Sequence, residues 1–166
     1  MKPTSLFSPE LAKGWLPWGA LAPFLLILFV AAPVILTDDP FERWGLATDK
    51  GDPIGPYGLY VFLLIPFAMT GALVLAWVLF IERRPLRTIG LTPNVGAVSF
   101  LRGLVIGGAT IAAVVAGIWA VGGYQADGFA RAFAAPRELM SIGILLLCFV
   151  VQASVEEIVF RGWLLS

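Results

Sequence analysis

The sequence predicts an all-α fold, a polytopic transmembrane helical bundle with four spans, and three observations carry that expectation. Hydrophobic residues make up 59% of the 166 residues and charged ones 13%, with a mean hydropathy of +0.90, whereas a soluble domain carries about 25% charged residues. Four charge-poor runs each reach the length of about 20 residues that crosses a hydrocarbon core. Between them, charge, proline and glycine collect in short connections. Net charge is zero, so bulk electrostatics offer no reason to expect nucleic acid as a partner. The lipid bilayer is the expected surrounding of a single membrane domain, residues 1–166.

Ser8-Pro9-Glu10 reads as a helix start, with an N-cap, a proline at the first helical position and an acid in the first turn. The first span, about 15–36, has 22 residues without a charge. It exceeds the roughly 7–15 apolar residues of a cleaved signal peptide and reads as a retained anchor. Pro23 and Pro33 fall within it, which spans tolerate where neighbouring helices satisfy the freed carbonyls. Residues 37–56 read as an acidic connection in water, without the residue order of a calcium loop. Trp44, Tyr57 and Tyr60 suit the aromatic belt at the membrane interface.

The second span, about 57–81, is expected to kink at Pro66 and Gly71. Glu82-Arg83-Arg84-Pro85-Leu86-Arg87 ends it and opens a basic loop that runs to Ser99, with Pro93 and Gly96 as turn residues. The third span, about 101–121, carries Gly103, Gly107, Gly108, Ala112 and Ala116 on a small-residue face. Such a face packs closely on a partner helix, within the chain or on another chain. Residues 122–138 read as a mixed loop in which Phe129 and Phe133 form one face of a short interfacial helix. The fourth span, about 139–165, holds the single cysteine, Cys148, which reads as a small buried hydrophobe with no disulfide to form.

Lysine and arginine set the orientation, because positive residues in short loops favour the cytoplasm. The N-terminal segment and second connection hold six (Lys2, Lys13, Arg83, Arg84, Arg87, Arg102), and the other two connections hold four (Arg43, Lys50, Arg131, Arg137). A cytoplasmic N-terminus follows, in a multi-pass protein of the plasma membrane. The fourth span then carries Glu156 and Glu157 toward the cytoplasmic boundary, about 26 Å along the helix at 1.5 Å per residue.

These two acids and Arg161 are the candidate catalytic residues. Ionisable groups beside hydrocarbon cost several kcal/mol and mark functional sites. On a helix, Glu157 and Arg161 lie one turn apart with the acid first, the better order for an ion pair. Removing Arg161 is therefore expected to strand a buried Glu157. Glu156 is rotated about 100° away and aligns with Gln152. With no local cation, it meets desolvation, the setting that suits a carboxyl group to general acid or base work near neutral pH. Neighbouring glutamates diverge and the chain has no histidine, so neither a metal nor another cofactor is expected in this chain.

At Glu156-Glu157-x-x-x-Arg161-Gly162, with Arg87-x-x-Gly90-Leu91 in the basic loop upstream, the chain resembles the CAAX prenyl protease and bacteriocin-processing family, also called CPBP or Abi. The resemblance implies an intramembrane endopeptidase with a helical-bundle fold, acting on a peptide or protein substrate at the membrane. Glu156 would activate the attacking water, and Glu157 and Arg161 would balance charge. Further motifs of that family, Phe-x-x-x-His and His-x-x-x-Asn or Asp, have no counterpart here. The resemblance therefore implies the N-terminal portion of such a protein, inactive alone, with a divalent metal conceivable only in the complete protein. The alternative is a non-catalytic membrane module, such as a transporter subunit or an immunity-type binding protein whose partner supplies a cation to Glu156.

Overall fold

Proline sets where the first helix begins. In the computed structural model, which describes residues 12–91, 96–123 and 135–165, α1 spans Ala22–Arg43 and Pro23 stands in its first turn. There its missing N–H is no loss and its fixed φ suits the helix. This moves the first span toward the C-terminus: Trp15–Leu21 precedes the helix, and Thr37–Arg43, expected in the connection, completes it. The extension holds because Thr37 and Phe41 are buried and Arg43 pairs with Asp39 at 3.7 Å in the last turn, where a cation also suits the helix dipole. The expected helix start at Ser8, as well as Pro93, Phe129 and Phe133, lie outside the described residues.

The connection after α1 is a short hairpin-like turn. Ala47 and Pro53 form an isolated antiparallel bridge, and Thr48 Oγ1 accepts the N–H groups of Lys50 and Asp52 at 3.3 and 3.1 Å. Helix α2 spans Gly55–Ala76 and runs on as a π-helical turn, Trp77–Ile81. Pro66 and Gly71 do not interrupt it; the irregularity comes later, at the π turn. Gly71 serves close packing instead, since a Cβ there would lie 2.9 Å from Val155 Cγ2. A 3₁₀ turn, Leu86–Ile89, follows and ends on Gly90 at φ 88°, a left-handed position that favours glycine.

Helix α3 spans Gly96–Ala120. Among the described residues of its own unit, a Cβ at Gly103, Gly107 or Gly108 would meet nothing within 4 Å. Helix α4 spans Pro136–Glu156 and continues as a π-helix, Glu157–Trp163. The fold is an all-α helical bundle, and among the described residues four helices are long and apolar enough to cross a membrane. Two compact units divide the chain, Met1–Leu91 with Met140–Ser166, and Thr92–Leu139.

The core lies in the first unit, where Phe29, Val74, Val78, Ile89, Val155, Val159 and Trp163 are buried together. Phe29 packs against the rings of Trp77 and Trp163, each at 5.4 Å between centroids. Cys148 is buried as expected, with Sγ 3.8 Å from the Tyr60 carbonyl.

Helix α1 also shows how a proline is accommodated. Pro33 has no N–H to give the Phe29 carbonyl one turn earlier, and Thr70 Oγ1 of α2 donates to that oxygen instead, at 3.1 Å. Thr70→Val is expected to destabilise the protein by about 0.6–2 kcal/mol, the range for a hydrogen bond between helices in lipid. In a Pro33→Ala background the loss should shrink, because residue 33 then supplies its own N–H. Unfolding titrations in mixed micelles measure both, and equal losses in the two backgrounds would refute the pairing.

Candidate functional site

The α-helical period in front of Glu156 places Gln152 on its face, and Gln152 Nε2 donates to Glu156 Oε1 at 3.2 Å. Beyond Glu156 the helix widens into the π segment, which still brings residues four apart together: Arg161 Nη1 donates to Glu157 Oε1 at 3.0 Å. Both side-chain pairings match the sequence expectation. The burial does not. Glu156, Glu157 and Arg161 are exposed, and the Glu157–Arg161 pair is 60% and 73% open. Among the described residues, Arg161 is therefore the partner of an exposed charge, not of a buried one.

The two acids face different clefts. Glu156 lines an apolar one of about 230 Å³ with Val30, Phe67, Thr70, Val155, Val159 and Phe160, between α1, α2 and α4. Glu157 and Arg161 line a second, of about 190 Å³, whose other wall is Ile89, Gly90 and Leu91. The two stretches that carry the family resemblance thus meet in space. Gly162 allows the meeting: a Cβ there would lie 2.5 Å from the Ile89 carbonyl oxygen, so only glycine lets the π segment approach the 3₁₀ turn this closely.

The buried carboxylate is one that sequence reasoning missed. Glu82, taken as part of a basic loop, is 1% exposed and Arg84 is 7% exposed. Arg84 Nε donates to Glu82 Oε2 at 2.6 Å. Trp77 Nε1 and Trp163 Nε1 both donate to Glu82 Oε1, at 3.1 and 2.7 Å. The Glu82 carbonyl also accepts the Gly14 N–H at 2.9 Å, and Trp15 packs edge-on against Trp77 at 5.9 Å. Arg83 turns outward at φ 51°, a left-handed conformation that ordinary residues avoid; this lets residues 82 and 84 both face inward. The legible signal was tryptophan: a buried indole N–H requires an acceptor, and Trp163 closes an apolar helix at the membrane end where Glu82 sits.

Among the described residues no three side chains of the types His, Cys, Asp and Glu converge as metal ligands.

Fold and site together define a multi-pass α-helical membrane protein whose fourth helix ends in a charged cluster beside two clefts. No protein-family model, curated protein or solved structure matches the chain.

Proposed function

We propose that this protein is an intramembrane endopeptidase of the CAAX-protease-like type, with Glu156 as the base that activates water. One observation supports the reading most: Glu156 opens on an apolar cleft of its own, while Glu157 is held by Arg161 in another. A base must be free to take a proton, and a supporting carboxylate must stay fixed; the two glutamates divide along that line.

In this scheme the Glu156 carboxylate takes a proton from water. The water oxygen bonds to the peptide carbonyl carbon, the C–N bond breaks, and the proton passes to the departing amine. Gln152 orients Glu156 through its amide N–H. The apolar walls from Val30 to Phe160 offer a surface for apolar side chains of the substrate. Glu157 and Arg161 hold the π segment and balance charge. The chain has no histidine, so no imidazole of this chain stabilises the oxyanion.

The same reading places the N-terminus in the cytoplasm and the site at the cytoplasmic face of the plasma membrane. Its substrate is a membrane-associated peptide or protein, and the Gly103 and Gly107 face of α3 is offered to a packing partner. The decisive experiment measures cleavage of membrane-bound fluorogenic peptides in vesicles by residues 1–166 and by a form extended along the reading frame, and separate reporter fusions after Glu82 fix the orientation. Glu156→Gln should reduce cleavage to background at unchanged thermal stability. Wild-type rates in that variant would leave the non-catalytic reading in possession.

A further inference from the structure

We propose that Glu82 is a positioning residue: it clamps the π-helical ends of α2 and α4 together and so sets the cleft in which Glu157 and Arg161 stand. Its link to turnover rests on the peptidase reading above, whereas the clamp itself can be tested without it. Both walls of that cleft are tied to one carboxylate. On one side, Arg84 binds Oε2 and leads two residues later into the 3₁₀ turn Leu86–Ile89, which carries Ile89, Gly90 and Leu91 into the cleft wall. On the other, Trp163 binds Oε1 and is the last residue of the π segment that holds Glu157, Arg161 and Gly162. Trp77, on the π turn of α2, shares Oε1 with Trp163. The two π segments of the described chain therefore meet on the same oxygen.

Stability alone does not explain this arrangement. Burying a carboxylate and a guanidinium carries a desolvation penalty, and well-packed apolar residues of similar volume would stabilise the junction as well or better. Apolar packing, however, fixes no rotation. Two indole N–H groups aimed at one oxygen do fix it, because hydrogen bonds weaken steeply off-axis. π-Helical turns are rare and frequently lie at functional sites, and a tie from outside the helix constrains how they are wound. Here the tie sets the rotation of Trp163, next to Gly162 and two residues from Arg161.

The test uses the full chain in vesicles, in a Cys148→Ser background, with two cysteine pairs. Leu91→Cys with Ile158→Cys spans the cleft and is joined by a short bis-thiosulfonate linker. Gly71→Cys with Val155→Cys lies between α2 and α4 away from the clamp, where a Cβ at position 71 is 3.8 Å from Val155 Cβ, within disulfide range. Glu82→Gln keeps an acceptor for the indoles and removes the charge that Arg84 Nε pairs with at 2.6 Å. It should slow cross-linking across the cleft about tenfold, the population change expected from loss of a charge-assisted hydrogen bond, and leave the Gly71–Val155 pair unchanged. Equal slowing of both pairs means general loosening and overturns the proposal, as does an unchanged cleft pair.

Cleavage kinetics then separate the two readings. If Glu156→Gln abolishes cleavage, Glu82→Gln should lower kcat per folded molecule about tenfold at constant KM, the sign of an interaction that acts on the transition state. A wild-type kcat in Glu82→Gln would overturn the positioning role. If instead Glu156→Gln still cleaves, the peptidase reading has failed; in that case, and where the unsubstituted chain shows no cleavage, the cross-linking result alone decides the clamp.

Discussion

Glu82→Ala is expected to lower the unfolding free energy by about 3–5 kcal/mol, the cost of breaking a buried ion pair by removing one partner. The carboxylate is 1% exposed and accepts from Arg84, Trp77 and Trp163 within the core that holds Phe29. Alanine takes away that shared acceptor and leaves a void at the junction of the N-terminal segment, α2 and α4. Arg161→Ala is the contrast. Its pair with Glu157 is largely open, and exposed pairs four apart on a helix contribute only about 0.3–0.5 kcal/mol in water. Tryptophan fluorescence during unfolding in mixed micelles compares the two, and a Glu82→Ala loss below about 1 kcal/mol would show that the carboxylate is not a structural partner.

Gly162→Val should cost about 3 kcal/mol, the upper end for forcing extra volume into a packed site, and should close the cleft between the 3₁₀ turn and the π segment. An added Cβ lies 2.5 Å from the Ile89 carbonyl oxygen and 3.3 Å from Ile89 Cβ. The first of these is backbone and cannot swing aside, and Ile89 itself is buried. Either the turn is pushed off or the last helical turn unwinds. At Gly103, where a Cβ meets nothing within 4 Å, substitution by alanine should change stability by less than about 1 kcal/mol, the difference in helix propensity. Similar losses at the two positions would mean that the close approach at Gly162 is not what the residue provides.

Hydropathy was enough to locate the helices because lipid imposes length and composition together. Span 57–81 appears as Gly55–Ile81 and span 139–165 as Pro136–Trp163. Helical period was enough for Gln152 with Glu156 and for Glu157 with Arg161, since those partners lie one turn apart. The start of α1 escaped because an apolar run says nothing about which of its residues has helical φ; Pro23 decided that. Glu82 escaped for two reasons. Its neighbours Arg83 and Arg84 read as a solvated basic loop, and its partners lie five and 81 residues away, at separations no α-helical pattern tests. The meeting of Gly90 and Leu91 with Arg161 and Gly162 is likewise a product of tertiary packing, invisible to spacing along the chain.

The bond from Thr70 to the Phe29 carbonyl has a consequence for biogenesis. A lone α1 entering the bilayer would carry a bare carbonyl at Phe29, opposite the missing amide of Pro33, and hydrocarbon offers no water to cover it. Its donor arrives only with α2, after a connection of 11 residues between Arg43 and Gly55. Insertion is thereby expected to favour the pair: α1 has its Phe29 carbonyl covered only once α2 lies beside it, so that the two enter as one hairpin.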